Sequence, residues 1–313
     1  MELVELDDVR AAADTIRSVV VRTPLLPSPW SPELWLKPEN LQPTGAFKLR
    51  GASYAVARLP ASKRAAGVVT QSSGNHGQAV AYAARSHRVP CVVVMPDVAG
   101  PHKIEATRAL GAEVLLVPAD DRQPAAEAVA ADRGLAMIPP FDHPDVIAGQ
   151  GTVGLEIADD LAVDLVLVPV GGGGLASGVA TAIKARHPGA AVIGVEPALA
   201  ADAQESLAAG AVRTWPVELT YRTVADGLRT QVSELTLAHL RARLDGIITV
   251  TEDEILDTAR AMLRQARLVV EPSGAVAAAG YLHHRGELPA GRTVAVVTGG
   301  NLAPDLLREF AAD

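Results

Sequence analysis

The sequence predicts an α/β protein with two open, mostly parallel twisted sheets that are covered by helices. Apolar stretches of strand length alternate with helical patterns over residues 67–141 and again over residues 152–297, which is typical of strand–helix–strand units. Several stretches, such as residues 165–170, are apolar without a break, as expected for parallel strands buried on both faces. A length of 313 residues suits about two domains.

The composition excludes several functional classes. Hydrophobic residues make up 49% of the chain and the net charge is −8, which fits a globular core and argues against a nucleic-acid partner. No apolar run reaches the ~18 residues of a membrane span, and the acidic N-terminus lacks a signal-peptide pattern. We therefore expect a cytoplasmic protein without a membrane partner. The single cysteine, Cys91, lies in an apolar stretch and is expected to be a core residue.

The first part of the chain is predicted to contain a helix, a connector and a strand. Apolar residues at helical spacing predict a helix over residues 5–20. Four prolines between residues 24 and 32 predict an extended connector, and a short strand follows at residues 34–37. The next helix is predicted to begin at Lys48, after the turn-forming sequence Pro43-Thr44-Gly45.

Residues 67–141 are predicted to form a small mobile domain. Apolar strands alternate here with amphipathic segments, and Gly111 and a Pro-Pro pair mark the ends of elements. The predicted strands are 68–70, 91–95, 114–117 and 136–138, and the predicted helices are 78–85, 103–110 and 125–132.

Residues 142–313 repeat the scheme and, with residues 1–66, are predicted to form a large domain. Continuous apolar runs predict the strands, and apolar residues at helical spacing predict the helices. The predicted strands are 165–170, 192–195, 247–250 and 293–297, and the predicted helices are 152–161, 175–185, 202–209, 234–244, 252–267 and 274–283.

The most glycine-rich segment lies between a predicted strand and a predicted helix that begins at Leu175. Its members are Gly171, Gly172, Gly173 and Gly174. Ligands bind at the carboxyl ends of strands in α/β sheets. Glycines there let main-chain N–H groups approach an anion at the positive end of a helix dipole. This glycine segment predicts a phosphate cradle, with a simple tight turn as the alternative.

A second loop also follows a predicted strand and precedes a helix. Its members are Ser72, Ser73, Gly74, Asn75, His76 and Gly77. Hydroxyls and main-chain N–H groups in such a loop suit a carboxylate, and the amide of Asn75 suits a phenolic oxygen. The alternative is a helix N-cap without a ligand. His76 lies near the same pocket and is given no proton-transfer role.

Lys48 has two interpretations. It stands in an otherwise uncharged run between a turn and apolar neighbours. A lysine in such a place is either a surface ammonium at the start of a helix or a functional amine held in a pocket. The glycine segment, the 72–77 loop and the sequence Thr298-Gly299-Gly300-Asn301 favour the functional amine.

The segment around Lys48 closely resembles the cofactor-lysine segment of the threonine/serine dehydratase and serine racemase family. The resemblance is carried by residues 37–52, KPENLQPTGAFKLRGA, and by residues 72–78, 146–152, 168–174, 225–227, 249–254 and 298–301. These are fold-type II pyridoxal-phosphate enzymes, the group that includes the tryptophan synthase β subunit. The resemblance implies a two-domain, tryptophan synthase β-like fold with pyridoxal 5'-phosphate in the cleft between the domains.

The resemblance also implies a role for each site residue. Lys48 would form the Schiff base with the cofactor, and Asn75 would bind the phenolic oxygen. The four glycines and the residue after them would hold the phosphate, and Thr298 would face the pyridine nitrogen, where most relatives have serine. Ser73 would face the substrate Cα from the side opposite Lys48, in a substrate-binding loop formed by Ser72, Ser73, Gly74, Asn75 and His76. Glu271 matches a residue that lines the pocket.

A metal site is implied in the same way. Residues 195–202 match the segment in which relatives bind a divalent cation through a glutamate, a main-chain carbonyl and an aspartate. The matching residues are Glu196, Ala200 and Asp202. Oxygen ligands suit Mg²⁺, Ca²⁺ or Mn²⁺. A helix N-terminus with acidic residues and no metal is the alternative.

The implied reaction is the removal of water and ammonia from L-threonine, L-serine or a similar β-hydroxy amino acid. A serine racemase and a 3-hydroxyaspartate dehydratase remain open alternatives, and an amino-acid-binding protein on the same fold is the non-enzymatic one. Relatives are usually dimers, so we expect a homodimer. Because the sequence ends at Asp313, before any regulatory domain like that of biosynthetic threonine dehydratases, no isoleucine feedback is expected.

Overall fold

The computed structural model describes residues 2–72 and 74–312, without the side chain of His102. The strands in these residues are β1 (Leu26–Pro27), β2 (Leu34–Pro38), β3 (Val68–Gln71), β4 (Cys91–Pro96), β5 (Glu113–Val117), β6 (Ala136–Met137), β7 (Leu165–Pro169), β8 (Ala191–Pro197), β9 (Gly246–Val250) and β10 (Thr293–Val297). They form a six-stranded sheet in the order β1-β2-β10-β7-β8-β9 and a four-stranded sheet in the order β5-β4-β3-β6.

The described strand pairs are parallel, except that β1 is antiparallel to β2. The predicted α/β class with mostly parallel sheets is therefore confirmed. Cys91 lies buried in β4, and burial raises the pKa of its thiol to about 12, so it is the core residue that the sequence predicts.

Helices connect the strands and cover the sheets. They are α1 (Leu6–Ile16), α2 (Lys48–Arg58), α3 (Ala61–Ala66), α4 (Asn75–His87), α5 (Pro101–Ala109), α6 (Arg122–Arg133), α7 (Pro144–Asp160), α8 (Gly174–Arg186), α9 (Asp202–Ala209), α10 (Val217–Thr220), α11 (Glu234–Arg243), α12 (Glu252–Ala261), α13 (Pro272–His284) and α14 (Pro304–Ala312). Within the described residues, none of them has the length and apolar composition needed to cross a membrane.

The central strands of the larger sheet are buried on both faces, as their continuous apolar sequences predict. In β7, Leu165 and Leu167 pack into the hydrophobic cluster that contains α12 and α13. Val166 and Val168 pack into the cluster on the opposite face, which contains α7 and α8. The alternation follows from the two-residue period of a strand. This sheet therefore holds the glycine segment, which directly follows β7, on a rigid base.

Helix α2 packs against elements of both sheets. Leu49 and Ala52 belong to the cluster that contains β3, β4 and α4 of the smaller sheet. On its other side α2 approaches α7 so closely that a Cβ added at Gly149 would lie 2.7 Å from the Cα of Gly51. The first turn of α2, which carries Lys48, is thus fixed from two sides. The division of the chain into a large and a small mobile domain stays a prediction.

Several predicted helix boundaries are wrong. Helix α1 ends at Ile16 rather than at residue 20, and α6 begins at Arg122 rather than at residue 125. Helix α7 begins at Pro144 rather than at residue 152, with His143 as a side-chain N-cap. The small residues Ala148, Gly149 and Gly151 obscure its apolar spacing, because alanine and glycine contribute little to a periodic pattern. Helix α4 begins at Asn75 rather than at residue 78, so the loop before it ends three residues earlier than predicted.

Three helices have no counterpart in the prediction: α3, α10 and α14. In addition, the helix predicted over residues 252–267 is α-helical only to Ala261 and continues as a π-helical turn, Met262–Ala266. Arg267, with a φ of 61°, ends it. These short or irregular elements depend on packing more than on sequence periodicity.

Candidate active site

Lys48 is the first residue of α2, and its environment lowers the pKa of its amine. The Nζ atom donates a 2.8 Å hydrogen bond to the main-chain oxygen of Pro140. In the part of the chain that the structure describes, no carboxylate pairs with this amine. Burial without a compensating negative charge lowers the pKa of Lys48 to about 8. An amine with such a pKa is a nucleophile and a base near neutral pH.

Residues 138–141 connect Lys48 to the glycine segment. Pro140 accepts the hydrogen bond from the amine, and the next residue, Phe141, lies against the glycines. A Cβ added at Gly172 would lie 2.6 Å from the Phe141 ring, and one added at Gly174 would lie 2.9 Å from the Phe141 Cβ. The amine and the start of α8 therefore lie on two sides of the same short segment.

The glycine segment has the geometry of an anion cradle. Gly173, with a φ of 83°, is the N-cap of α8, which begins at Gly174. Residues other than glycine rarely adopt this backbone conformation. A Cβ added at Gly171 would lie 3.0 Å from the main chain of Leu228. The first N–H groups of a helix have no intrahelical acceptor, and the helix dipole favours an anion there. Phosphate binding by the four glycines and Leu175 stays a prediction that this geometry suits.

The loop before α4 is tight and borders open space. The Ser72 hydroxyl accepts a 3.2 Å hydrogen bond from the main-chain N–H of Gly74. A Cβ added at Gly77 would lie 2.6 Å from the carbonyl oxygen of Ser72, whereas one added at Gly74 would meet no described atom within 4 Å. The loop can therefore receive a ligand at Gly74. Ser73, the predicted second proton-transfer residue, lies outside the described residues.

The side chain of Asn75 is held between two partners. Its Nδ2 donates a 2.6 Å hydrogen bond to Oε1 of Glu271, and its Oδ1 accepts a 2.7 Å hydrogen bond from Nδ2 of Asn301. Burial, and then the negative charge of Asp226, raise the pKa of Glu271 to about 7. The second N–H of Asn75 has no acceptor among the described residues, and it suits the phenolic oxygen of the predicted cofactor.

His76 is buried and neutral. Its Nε2 lies 3.0 Å from the carbonyl oxygen of Ile138, which can only accept, so this nitrogen carries the proton. Burial, and then the positive charge of Lys48, lower the pKa of His76 to about 3. His76 therefore gains no proton near neutral pH, consistent with the absence of a proton-transfer role. Its predicted contribution to substrate binding is not tested by these contacts.

Thr298 is buried beside the segment that precedes Lys48. Its Oγ1 donates a 3.2 Å hydrogen bond to the main-chain oxygen of Ser273, and its own carbonyl accepts a 3.0 Å hydrogen bond from the main-chain N–H of Phe47. A hydroxyl hydrogen rotates easily between acceptors. The same Oγ1 can thus serve a ring nitrogen, as the resemblance implies.

Together these residues fit pyridoxal phosphate. Its aldehyde requires an amine, its phosphate an anion cradle, its phenolic oxygen a donor and its ring nitrogen a polar partner. The structure joins the candidates for these four roles by direct contacts: Lys48 through Pro140 and Phe141 to the glycine segment, and Asn75 through Asn301 to the strand end that carries Thr298.

Sequence reasoning does not assign a role to Asn301 or Phe141. Asn301 belongs to residues 298–301, which carry part of the family resemblance, so its amide could have been named as a site group from the sequence. Phe141 had no such signal, because its contact with the glycines depends on the path of residues 138–141 from the end of β6 to the glycine segment. Lys103 is another such residue: its Nζ lies 3.7 Å from Oδ2 of Asp226, and so joins α5 of the smaller sheet to the larger one.

The predicted metal ligands form a small buried acidic cluster. Glu196 accepts hydrogen bonds from the main-chain N–H groups of Ala203 and Gln204 at 3.1 and 2.8 Å. Asp202 Oδ2 accepts a 3.2 Å hydrogen bond from the main-chain N–H of Val232, while Oδ1 is buried without a partner. Burial, followed by the charge of Asp202, raises the pKa of Glu196.

No group of three or more His, Cys, Asp or Glu side chains in the described chain is arranged to hold a metal ion. The predicted set offers two carboxylates, with the main-chain carbonyl of Ala200 as its third ligand. Ala200 closes a short 3₁₀ turn, Ala198–Ala200, between β8 and α9, so the three groups are neighbours along the chain.

Comparison with protein families gives one match that spans most of the chain. The profile described as "Pyridoxal-phosphate dependent enzyme" matches residues 16–299. The match includes Lys48, the 72–77 loop, the glycine segment and Thr298. The region in which the candidate site was found is therefore the region that is similar to these enzymes.

Individual relatives also cover nearly the whole chain. An L-threo-3-hydroxyaspartate ammonia-lyase of Saccharomyces cerevisiae is 39% identical over 94% of this chain and 92% of its own. An L-threonine ammonia-lyase of Geobacter sulfurreducens is 42% identical over 94% of this chain and 75% of its own. The solved structure of maize serine racemase superposes with a TM-score of 0.93 at 34% identity, covering 98% of this chain and 97% of that one.

Proposed function

The chain belongs to the pyridoxal-phosphate dependent enzyme family, and we propose that it converts L-threonine, L-serine or a closely related β-hydroxy amino acid to a 2-oxo acid and ammonia. The observation that carries the proposal is the amine of Lys48, whose pKa is lowered to about 8 and which is joined through Pro140 and Phe141 to the glycine segment. Relatives that are ammonia-lyases for L-threonine and for L-threo-3-hydroxyaspartate support the reaction class.

In this proposal the protein supplies binding, orientation and proton transfer. Pyridoxal phosphate, when bound, supplies an electron sink for the pair released from the Cα–H bond. The glycine segment and Leu175 bind its phosphate, Asn75 donates to its phenolic oxygen, and Thr298 donates to its ring nitrogen. A hydroxyl does not protonate that nitrogen, and a neutral ring is a weaker electron sink, which suits elimination better than a long-lived carbanion.

Lys48 is the proposed base. Its Nζ takes the Cα proton, and the electron pair of the Cα–H bond becomes the Cα–Cβ double bond. The β-hydroxyl takes up one proton as it leaves, so that the proton lost from Cα and the hydroxyl together make one molecule of water. The enamine that is released hydrolyses to the 2-oxo acid and ammonium. The loop at Ser72 and Gly74 binds the substrate carboxylate, and closure of the smaller sheet over the cleft keeps water out. The Lys103–Asp226 ion pair, with the two atoms 3.7 Å apart, supports such a closed arrangement.

Serine racemisation is the second candidate function, favoured by the similarity to maize serine racemase. Racemisation needs a proton donor and acceptor on each face of Cα. Lys48 serves one face, and the resemblance assigns Ser73 to the other. A third candidate, elimination from 3-hydroxyaspartate, is favoured by the yeast relative. The three functions share Lys48 as the base on one face of Cα. They differ in the substrate and in whether a proton is also transferred on the opposite face.

A panel of β-hydroxy amino acids tests the proposal. The holoenzyme should release a 2-oxo acid and ammonia from L-threonine or L-serine faster than from L-threo-3-hydroxyaspartate. The enantiomeric composition of unreacted serine, measured in the same samples, reports racemisation. Rapid loss of optical purity with little pyruvate would favour the racemase, and a preference for hydroxyaspartate would favour the third candidate.

We also propose that Glu196, the carbonyl of Ala200 and Asp202 bind Mg²⁺, Ca²⁺ or Mn²⁺. The support is a buried pair of carboxylates, one of whose oxygens, Asp202 Oδ1, lacks a partner. Oxygen-only ligands suit these cations. Separately from the metal site, we propose that the protein forms a homodimer, as the resemblance to this family implies.

Chelation tests the metal proposal. With the cation at about a hundred times its Kd, binding stabilises the native state by about 2.7 kcal/mol, so millimolar Mg²⁺ or Ca²⁺ should raise the melting temperature above that measured with a chelator. Asp202→Asn should abolish the difference, and Glu205→Gln, on an exposed position of the same helix α9, should keep it. Equal melting temperatures with and without cation in the wild type would favour a helix N-terminus without metal.

A further inference from the structure

The amide of Asn301 makes two hydrogen bonds that both require it to donate. Its Nδ2 lies 2.9 Å from the main-chain oxygen of Thr44 and 2.7 Å from Oδ1 of Asn75. A main-chain oxygen can only accept. If the Asn301 amide turned over, its Oδ1 would face the oxygen of Thr44, and two acceptors would meet. The carbonyl of Thr44 therefore fixes which end of the Asn301 amide faces Asn75.

The orientation of Asn301 in turn fixes the orientation of Asn75. Because Asn301 presents N–H groups, Asn75 must present its oxygen to Asn301 and its Nδ2 to the other side. There Nδ2 donates one hydrogen to Oε1 of Glu271 at 2.6 Å. Its second hydrogen has no acceptor among the described residues. A turned Asn75 amide would place an oxygen at this position instead.

Glu271 alone does not determine this orientation. A carboxylate accepts from Asn75 and rejects the turned amide, whereas a protonated carboxyl group can also donate to the Asn75 oxygen. Burial and Asp226 raise the pKa of Glu271 to about 7, so both forms are present near neutral pH. Asn301 has no such second state, because an amide does not titrate.

The contacts of the main chain keep Asn301 in place. Gly45 has a φ of 71°, and a Cβ at this position would lie 2.5 Å from Oδ1 of Asn301. The N–H of Gly300 donates a 2.9 Å hydrogen bond to the oxygen of Gly45. The turn that leads to Lys48 is thus packed directly against the residue that orients Asn75.

We propose that Asn301 is a positioning residue, which transmits the fixed polarity of the Thr44 carbonyl to Asn75 and so keeps one Asn75 N–H directed at the phenolic oxygen of pyridoxal phosphate. The inference rests on the proposed function, because it assumes that Asn75 binds this oxygen. Asn301 itself touches neither substrate nor cofactor in this arrangement.

The dissociation constant of pyridoxal phosphate tests the proposal in a double-mutant cycle. Cofactor-free wild type, Asn75→Ala, Asn301→Ala and the double variant are titrated with pyridoxal phosphate and followed by absorbance. A hydrogen bond to a charged oxygen corresponds to about a tenfold change in affinity or more. Each single variant should weaken binding by about tenfold, and the double variant by about the same factor. Independent roles would give about a hundredfold.

Asn40→Ala is the matched control. Asn40 donates a 3.1 Å hydrogen bond to the main-chain oxygen of Val269, and its Cβ lies beside Gly300. This variant thus removes an asparagine next to the same loop without touching Asn75, and its affinity should stay within about twofold of the wild type, as expected for the loss of an exposed contact. Melting temperatures of the cofactor-free proteins identify any variant that does not fold. Asn301→Asp, which keeps the shape but has only acceptor oxygens when ionised, then replaces Asn301→Ala.

A spectroscopic readout separates positioning from general loosening. A donor to the phenolic oxygen stabilises its anionic form and weakens its hold on the neighbouring imine proton. Loss of the imine proton changes the absorbance, and the midpoint of this change with pH can be measured. Asn75→Ala and Asn301→Ala should therefore raise this pH midpoint by similar amounts, and Asn40→Ala should not. If the losses of affinity in the two single variants added up in the double variant, or if Asn301→Ala left the midpoint unchanged, the positioning role of Asn301 would be refuted. The proposed function would still stand. Failure of the wild type to take up the cofactor would overturn the proposed function as well.

Discussion

Replacing Lys48 with alanine should abolish the absorbance band near ~410–420 nm that a lysine–pyridoxal Schiff base gives, and should lower turnover by at least about a thousandfold. The reason is that no other amine among the described residues is suitably placed. The remaining lysines are Lys37, Lys63, Lys103 and Lys184. Lys37 is buried in an ion pair with Glu156, and Lys184 pairs with Asp245 at 2.6 Å. Lys103 pairs with Asp226 at 3.7 Å, and Lys63 is exposed on α3.

Lys63→Ala is the matched control for this experiment, since it removes an amine without touching the site. It should leave both the band and turnover unchanged. Lys48→Ala should also unfold at nearly the wild-type denaturant concentration when both proteins lack cofactor, because Lys48 makes one hydrogen bond and no ion pair in the described chain. Retention of the band in Lys48→Ala would refute the proposed function.

The largest effect on stability is expected two residues further along the same helix. Arg50 is 0% exposed, and its guanidinium forms hydrogen bonds of 2.6 to 2.9 Å with the carboxylates of Glu39 and Glu156. Lys37 Nζ donates to Glu156 at 2.6 Å. Two buried positive charges therefore balance two negative ones. Arg50→Met leaves an uncompensated negative charge, which typically destabilises a protein by about 3–5 kcal/mol.

Denaturant unfolding of the cofactor-free protein measures this loss, and Arg58→Met is its control. Arg58 lies on the same helix α2, but its side chain is 61% exposed, and its nearest contact to Asp145 is 3.7 Å. Exposed pairs of this kind contribute at most about 1 kcal/mol. If Arg50→Met lowered the free energy of unfolding no more than Arg58→Met does, the buried network would not stabilise the start of α2. Because that start carries Lys48, Arg50→Met should also weaken cofactor binding.

The pH dependence of the same network has a definite sign. Burial opposes ionisation of Glu39, but the Arg50 guanidinium outweighs it and holds the pKa of Glu39 below its ordinary value. A group with a lowered pKa in the folded state contributes stability above its unfolded pKa. The contribution of Glu39 is therefore present at neutral pH and is lost as the pH falls through the lowered value.

Much of the fold was predictable because the sequence is locally consistent. Continuous apolar runs predict β4, β7, β8 and β10, and these strands lie within one or two residues of the predicted positions. Their side chains are buried on both faces, so most of these residues are apolar; Glu196 in β8 and Thr293 in β10 are buried polar exceptions. Helix α7 was predicted to begin eight residues too late, because glycines and alanines near its packed start carry no periodic signal. Small residues are required there by the close approach of α2 at Gly51.

The candidate residues of the site could also be named from the sequence, since Lys48, Asn75, the glycine segment and Thr298 stand at strand ends and helix starts. Each of them lies within a short motif of consecutive residues, and such a motif can be recognised without the tertiary structure. What only the tertiary structure decided is how the motifs meet. Phe141 lies on the glycines, Asn301 orients Asn75, and Arg50 is balanced by Glu39 and Glu156 across three separate segments. These contacts depend on the crossing of chain segments far apart in sequence, and the same crossing lowers the pKa of Lys48 by burying its amine.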